Sequence, residues 1–244
     1  MKTILLKFAG PLQSWGTNSH FETRYTDFYP SKSAVIGLLA ASLGYRRDES
    51  EKIQRLNEIK FAIRVDQKGN LLRDYHIAQK FKGVNLERNY VTNRYYLEDA
   101  IFVVGIMAGD EVIIELENAL RKPYFQQFLG RRSAPVQADF IIKTTDEDLI
   151  KSLEVLPWQA SQWYKKENRN KRLIDLEIYA DGDLLQGETI NFRRDKVSSF
   201  SQKNREFSYR PEKRKTIKIS NDMFEDFYEE FDAFGGIGGS DVSI

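Results

Sequence analysis

Residues 29–44 read YPSKSAVIGLLAASLG, a stretch in which apolar side chains recur at helical spacing. The pattern predicts a helix over residues 31–43, with Ser31 as its N-cap and a glycine just after its last turn. Lys32 and Ser33 fall in the first turn. Free backbone N–H groups at a helix N-terminus attract anions, and a cation beside them adds to that attraction. The start of this helix is therefore a candidate site for a phosphate group.

The stretch AGPLQSWG, residues 9–16, lies before that helix and marks the end of a strand. The apolar run over residues 2–9 predicts a buried opening strand. A Gly-Pro pair ends it, and the polar loop that follows carries Gln13 and one aromatic residue, Trp15, which we expect to be exposed. An exposed ring close to a helix N-terminus suits a base next to its phosphate.

The composition is that of a folded globular protein: 244 residues, 41% hydrophobic and 13% aromatic, enough for one large domain or two small ones. The absence of cysteine excludes disulfides, thiolate catalysis and cysteine-ligated zinc. The first apolar stretch is too short for a signal peptide, and no segment approaches the roughly 18 apolar residues of a membrane helix. We expect a cytoplasmic protein without membrane contact.

The net charge of +1 conceals separate basic and acidic blocks. Residues 164–172 carry five basic residues and one acid, and residues 191–215 carry nine basic residues against three acids. Residues 221–244 carry seven acids and no basic residue. A basic block can hold a polyanion, and the alternative is a set of solvated faces that happen to cluster.

The order of patterns in the first half is β-α-β-β-α-β, the ferredoxin-like motif that RRM-type RNA-binding domains share. We therefore predict an α+β fold with a ferredoxin-like (RRM-type) domain at 1–155 and a smaller β-rich C-terminal region at 156–244. After the first strand and helix, the expected elements are a short helix at 48–57, strands at 59–66, 100–109 and 136–143, and helices at 110–123 and 145–154. The stretch 71–98 is too long for a plain turn between two central strands. We therefore predict that it forms an inserted, projecting hairpin.

The inserted stretch 71–98 interleaves cations with aromatic rings. Its candidate RNA-binding residues are Arg73, Tyr75, His76, Lys80, Arg88 and Arg94. Cations bind phosphates and aromatic faces stack on bases, a contribution of roughly 1–3 kcal/mol per stacked base. The alternative is an ordinary edge hairpin whose tyrosines cover a core.

A second basic loop, FLGRRSAP at 128–135, follows the helix predicted at 110–123. Gly130 would let the backbone approach a ligand closely, and the adjacent Arg131 and Arg132 can bind phosphates through their guanidinium groups. The alternative is a solvated turn whose arginines pair with nearby acids.

Signals for catalysis are weak. His20 and His76 are the only histidines, and no HExxH, Walker A, GxGxxG or Gly-x-Ser-x-Gly sequence occurs, so we expect no metal, no cofactor and no catalytic residue. His76 with Tyr75 and Lys80 nearby leaves metal-independent acid–base chemistry as the alternative.

The acidic stretch FEDFYEEFDAFGGIGGSDVSI, residues 224–244, places five aromatic residues at helical spacing. Such a stripe either packs on its own domain, which we expect here, or docks on a partner.

Six blocks, in this order along the chain, resemble the CasD family, the RAMP-superfamily subunits of type I-E CRISPR Cascade complexes that hold the crRNA 5′ handle. The blocks are AGPLQSWG, YPSKSAVIGLLAASLG, RDYH at 73–76, YLEDA at 96–100, ALRKPYFQQFLGRRSAP at 119–135 and GGSDVS at 238–243. The first five are spread over most of the first 140 residues, whereas residues 157–234 match weakly.

The resemblance implies an RRM-like core with a thumb hairpin at 71–98, a grip on the 5′ handle of the crRNA, and a cap on one end of the Cascade backbone in antiviral defence. It implies the backbone subunit CasC and the large subunit CasA as neighbours. The expected RNA-binding residues are Gln13, Trp15, Lys32, Ser33, Arg73, Tyr75, His76, Lys80, Arg88, Arg94, Arg131 and Arg132. In type I-E systems another subunit, CasE, cuts the guide, which implies a non-catalytic role here. Type I-C relatives cleave precursor RNA, which keeps a metal-independent endoribonuclease as the alternative.

Overall fold

A computed structural model describes residues 1–16, 22–187 and 189–225 of the chain, most of which belong to two β-sheets and the helices packed on them. The strands are β1 (Lys2–Ala9), β2 (Leu12–Gln13), β3 (Thr23–Arg24), β4 (Lys60–Gln67), β5 (Asn70–Lys82), β6 (Asn85–Glu98), β7 (Ile101–Ala108), β8 (Ile141–Thr145), β9 (Leu173–Asp181), β10 (Ile190–Ser199) and β11 (Glu206–Ser220). The helices are α1 (Lys32–Ser42), α2 (Ser50–Arg55), α3 (Asp110–Arg121), α4 (Leu149–Val155) and α5 (Gln162–Glu167), with a 3-10 turn at Leu56–Glu58.

The larger sheet has seven strands in the order β10-β11-β9-β4-β7-β1-β8, and its pairings are antiparallel. Helices cover both of its faces, so alternate side chains of β1, which lies between β7 and β8, are buried on opposite sides. Ile4, Leu6 and Phe8 enter the main core together with α1 and α3. Leu5 enters a second core together with α4. This two-sided burial explains why the middle of β1, Ile4–Leu6, is a continuous apolar run.

The smaller sheet is built around a long hairpin of β5 and β6, which pair antiparallel from Asn70 and Glu98 at the base to Lys82 and Asn85 at the tip. Near the base, β6 also pairs with β2 and, in parallel, with β3. Gly83 turns the tip with a φ of 63°, a conformation that glycine adopts without strain. The hairpin occupies the connection between β4 and β7.

Strands β9, β10 and β11 extend the larger sheet beyond β4. The pairing of β4 with β9 runs from Ala62 and Ala180 to Val65 and Glu177. A strand from before residue 155 is therefore hydrogen-bonded to a strand from after it. The division of the chain into 1–155 and 156–244 stays a prediction. The strands of the second part are longer than the short ones that the sequence pattern indicated.

One predicted strand begins too early. The strand expected at 136–143 is β8, which starts at Ile141 because it pairs with β1 over only a few residues before the register shifts. The preceding residue, Phe140, instead accepts a single hydrogen bond from the backbone N–H of Lys7 (2.6 Å) and packs on the main core.

Two helices differ from the sequence prediction. The helix expected at 145–154 starts at Leu149, because Asp148 caps it by accepting hydrogen bonds from the backbone N–H groups of Ile150 and Lys151. The short helix α5 was not predicted, since six residues are too few for a helical period to stand out.

Candidate nucleic-acid interface

The loop after β1 packs inward. Trp15 is 2% exposed, and its ring stacks on Phe8 with the centroids 5.7 Å apart. Gln13 is fully buried and donates hydrogen bonds to the carbonyl oxygens of Phe8 and Ala100. The prediction of an exposed Trp15 is wrong, because burying the indole against Phe8 removes a large apolar surface from water. Both side chains are therefore buried, although Trp15 still borders the cleft over the following helix.

Lys32 is buried as well, in a network of charges. Its Nζ donates to Asp181 Oδ2 (2.9 Å) and to the carbonyl oxygen of Ile59 (2.7 Å), while its backbone N–H donates to Asp195 Oδ2 (2.9 Å). Arg210 bridges the same two carboxylates. The carboxylate of Asp195 thus occupies the helix N-terminus at which the sequence predicted a phosphate. The expected phosphate contact of Lys32 is replaced by this internal pairing.

The open side of α1 is the floor of a cleft of about 1150 Å³. Ser31 caps the helix by accepting a hydrogen bond from Ala34 N (3.2 Å), and its Oγ lies 3.0 Å from that of Ser33. Ser33, Ala34, Gly37 and Ala41 line the floor, and their small side chains leave the space above the helix open. Of the two predicted residues in this turn, Ser33 therefore lines the cleft and Lys32 points away from it.

The walls of the cleft carry four exposed arginines, Arg24, Arg46, Arg47 and Arg205. No carboxylate lines the cleft among the described residues. Aromatic and amide side chains complete the walls: Tyr45, Phe125, Phe200, Gln126, Gln127 and Gln202. Guanidinium groups bind phosphates, and rings and amides contact bases, so this lining suits a single-stranded nucleic acid.

The arginines repel one another. Burial lowers the pKa of Arg205, and the positive charges of Arg47 and Arg24 lower that pKa further. A lowered arginine pKa means that the surroundings disfavour the positive charge. A phosphate bound among these arginines would relieve this repulsion, so the cleft favours an anion.

The glycine of the loop GRRSAP serves the chain rather than a ligand. Gly130 has a φ of 84°, and an added Cβ would collide with the carbonyl oxygen of Ser14. The sequence predicted that a ligand would lie close to the backbone of Gly130. The backbone of Ser14 takes that place instead and holds this loop at the rim of the cleft.

Arg131 and Arg132, the two arginines of the loop GRRSAP, differ in whether they contact other residues of the protein. The guanidinium of Arg131 lies over the ring of Tyr96, 4.3 Å from its centroid, and donates to the carbonyl oxygen of Arg24 (3.2 Å). Arg132 is exposed, and no ion pair joins it to the described part of the chain. Arg131 is therefore partly used for internal packing, whereas the charge of Arg132 is open to a ligand.

The hairpin has two chemically different faces, because successive residues of a strand point to opposite sides. The apolar hairpin face consists of exposed Tyr75, Ile77, Phe81, Leu86 and Val91. The basic hairpin face consists of His76, Lys80, Arg88, Tyr90 and Arg94. Of the six predicted RNA-binding residues here, Arg73 and Tyr75 lie on the apolar face and the other four on the basic face.

The basic hairpin face continues into the cleft. Arg94 on β6 is in register with Asp74 on β5 and with Arg24 on β3. Residues in register on neighbouring strands point to the same side of a sheet, so Arg94 shares a side with Arg24, which lines the cleft. Tyr96, two residues farther along β6, lies on that side too and holds Arg131. Cations therefore occur on one side of the smaller sheet from the cleft to the hairpin, and the carboxylate of Asp74, which pairs with His76, lies among them.

The three residues of the alternative nuclease hypothesis do not converge. Tyr75 lies on the apolar hairpin face, opposite His76 and Lys80. His76 Nε2 lies 2.9 Å from the carboxylate of Asp74, and Lys80 Nζ lies 2.9 Å from that of Glu87. Within residues 1–16, 22–187 and 189–225, no cluster of three or more His, Asp or Glu side chains could hold a metal ion.

Some predictions concern residues outside the described ranges. These are His20, the block GGSDVS, and the acidic aromatic stretch after Glu225. In the part that is described, no helix is long and apolar enough to cross a membrane.

Residues 3–212 match the family described as "CRISPR-associated protein (Cas_Cas5)". The chain belongs to this family. It is 36% identical, over 157 residues, to the CRISPR system Cascade subunit CasD of Escherichia coli (strain K12), a match that covers 58% of this chain and 70% of the relative. The resemblance to Cascade subunits seen in the sequence is thereby confirmed.

Two solved structures agree with the fold. A chain of a CRISPR RNA-guided surveillance complex matches with a TM-score of 0.75 and 28% identity, covering 91% of this chain and 92% of that one. A chain described as "Crystal structure of Cas protein" matches with a TM-score of 0.62 and 30% identity, covering 91% and 97%. The predicted α+β class, rich in sheet, is confirmed.

Sequence reasoning missed most of the cleft arginines. Arg46 and Arg47 form an adjacent pair shortly after Gly44 and the end of α1, separated from that glycine only by Tyr45. This arginine pair after a glycine resembles GRRSAP and is the signal that could have found them. Arg205 was counted in the basic block 191–215 without being singled out. Arg24 stands alone in the sequence and carries no such signal.

Proposed function

We propose that this chain is the RNA-binding subunit of a CRISPR Cascade complex, that it holds the 5′ handle of the crRNA and caps the backbone, and that it is not catalytic. The observation that carries the proposal is the cleft over α1, whose charged lining in the described residues is four arginines and no acid. Such a lining attracts a polyanion and repels a basic surface. The likeness to CasD of Cascade and to a surveillance-complex chain supports the same role.

The proposed path of the RNA follows the cations. Phosphates lie against Arg46, Arg47 and Arg205 in the cleft, pass Arg24 and the GRRSAP loop at its rim, and reach the basic hairpin face. Unstacked bases of a single-stranded segment meet the rings and amides of the cleft walls. The RNA is thus held by shape and charge along a bent surface.

We also propose that the four strands β8-β1-β7-β4, with α1 and α3 on one face, are the ferredoxin-like core, and that the β5–β6 hairpin is its thumb. The antiparallel strand order and the connections β1-α1-β4 and β7-α3-β8 support this assignment. The region 156–244 then adds three strands to one edge of that core.

The apolar hairpin face supports a protein neighbour. Five large apolar side chains exposed on one side of a hairpin are typical of a protein–protein contact. We propose the backbone subunit CasC and the large subunit CasA as the neighbours of this chain, in line with the family. RNA and protein would then meet opposite faces of the same hairpin.

The non-catalytic part of the proposal rests on the separation of Tyr75 from His76 and Lys80. Incubation of the purified protein with labelled repeat RNA in EDTA tests it, and we expect the RNA to remain intact. Site-specific cleavage that is lost in His76→Ala would instead establish the metal-independent endoribonuclease.

Crosslinking of RNA to protein in the assembled complex tests the binding site. We expect crosslinks from the 5′ handle to peptides that contain Arg24, Arg46–Arg47 and the loop around Arg205. Handle crosslinks confined to other subunits would overturn the proposal and leave the chain as a protein scaffold.

A further inference from the structure

The chain that follows β11 turns back onto α5 and meets it with acids. Asp222 Oδ2 lies 3.0 Å from Lys165 Nζ, and Glu225 Oε2 lies 3.5 Å from Arg169 Nε. The backbone N–H of Glu225 also donates to the carbonyl oxygen of Arg169 (3.0 Å). Main-chain and side-chain contacts therefore both attach residues 222–225 to the basic block 164–172.

Beyond these contacts lies an open surface that is both basic and apolar. We define the α5 surface as Trp163, Lys166, Lys171, Arg172 and Leu173, all of which are exposed. Trp163 and Leu173 are each 53% exposed. Within the described residues no ion pair engages the three cations of the α5 surface, Lys166, Lys171 and Arg172. Glu167 is the one acid in residues 163–173. A ring with cations around it binds either a polyanion or an acidic, apolar segment.

The next nine residues have the matching chemistry. Residues 226–234 read DFYEEFDAF, four acids interleaved with aromatic side chains, and no basic residue occurs from 221 to 244. Nine residues span up to about 30 Å when extended, and the α5 surface lies within a few helical turns of Arg169. Their acids can therefore meet Lys166, Lys171 and Arg172, and their rings can cover Trp163 and Leu173.

We propose that residues 226–234 pack on the α5 surface and keep its cations from binding nucleic acid. Attachment at Asp222 and Glu225 makes this contact intramolecular, so the segment competes at a high effective concentration against any free polyanion. The α5 surface contributes nothing to the lining of the arginine cleft. The segment thus removes a non-specific site and leaves the cleft available, and the inference holds whether or not the proposed function does.

The test uses the full-length chain with Asp226→Asn, Glu229→Gln, Glu230→Gln and Asp232→Asn combined, beside a chain that ends after Glu225. Acrylamide quenching reports on Trp163, because Trp15 and Trp158 are each 2% exposed. We expect the quenching constant to rise about twofold in both variants, given that exposed ion pairs are weak individually and act here as a set. Trp163→Phe should remove the difference.

Binding of a short oligothymidylate at low salt gives the second readout. We expect both variants to bind it about tenfold more tightly than the wild type, with a steeper dependence on salt. Adding Lys166→Ala and Arg172→Ala to either variant should abolish the gain. Unchanged quenching or unchanged binding in the neutralised chain overturns the proposal. Quenching of the wild type that rises on dilution also overturns it, because the segment would then cover a second copy of the chain.

Discussion

Lys32 Nζ and Asp181 Oδ2 lie 2.9 Å apart in an ion pair that is buried on both sides. The pair joins the first turn of α1 to the end of β9, two elements that are 149 residues apart in sequence. Because α1 is the floor of the arginine cleft, this contact fixes the cleft on the sheet. A cation that the sequence suggested for RNA is used instead to hold the floor of the cleft in place.

Replacing Lys32 by methionine should therefore destabilise the fold. Removing one partner of a buried ion pair leaves the other charge buried with less compensation, and we expect the free energy of unfolding to fall by about 3 kcal/mol. Chemical denaturation measures it. Lys215→Met is the control, since its pair with Glu154 (2.6 Å) is partly exposed and should matter far less. A Lys32→Met protein of normal stability that binds RNA poorly would make Lys32 an RNA contact after all.

Removing two cleft arginines should weaken RNA binding without unfolding the protein. For Arg47→Ala combined with Arg205→Ala, we expect binding of the handle RNA to weaken at least about tenfold and its salt dependence to fall by about two units of slope. The repulsion between these two cations also disappears, which offsets the lost contact of Arg205 with the ring of Phe207 (5.1 Å), so stability should change little. Arg214→Ala removes an exposed arginine that pairs with Glu177 on the sheet, away from the cleft, and should leave the slope unchanged. An unaltered slope in the double variant would exclude the cleft as the RNA site.

The two arginines of GRRSAP should separate binding from folding. Arg132→Ala removes an exposed charge, so we expect weaker RNA binding, a slope smaller by about one unit, and unchanged thermal stability. Arg131→Ala also removes a cation–ring contact and a hydrogen bond to Arg24, and we expect both RNA binding and the melting temperature to fall. A salt series by filter binding together with thermal melts checks both. Equal affinity of all three proteins for RNA would remove this loop from the interface.

Periodicity located β1, α1 and β7 because each buries a regular pattern of apolar side chains. It could not reveal that Trp15 and Lys32 are buried, since a ring in a loop or a cation in the first turn of a helix has the same local sequence whether it binds a ligand or its own chain. Their partners, Phe8 and Asp181, become neighbours only after folding. The cleft could not be predicted from the sequence for the same reason. Its arginines come from three separate segments that only the tertiary fold brings together.

The two faces of the hairpin give the sharpest comparison within one element. Arg88 on the basic hairpin face and Arg73 on the opposite face are both exposed cations of the same two strands. If RNA follows the path from the cleft through Arg24 and Arg94, Arg88→Ala should weaken handle binding severalfold and lower the salt slope by about one unit, whereas Arg73→Ala should change neither. Both variants keep the strand pairing, so circular dichroism should not distinguish them. Equal losses from the two substitutions would mean that RNA wraps the hairpin, and a loss from Arg73→Ala alone would place the RNA on the apolar hairpin face.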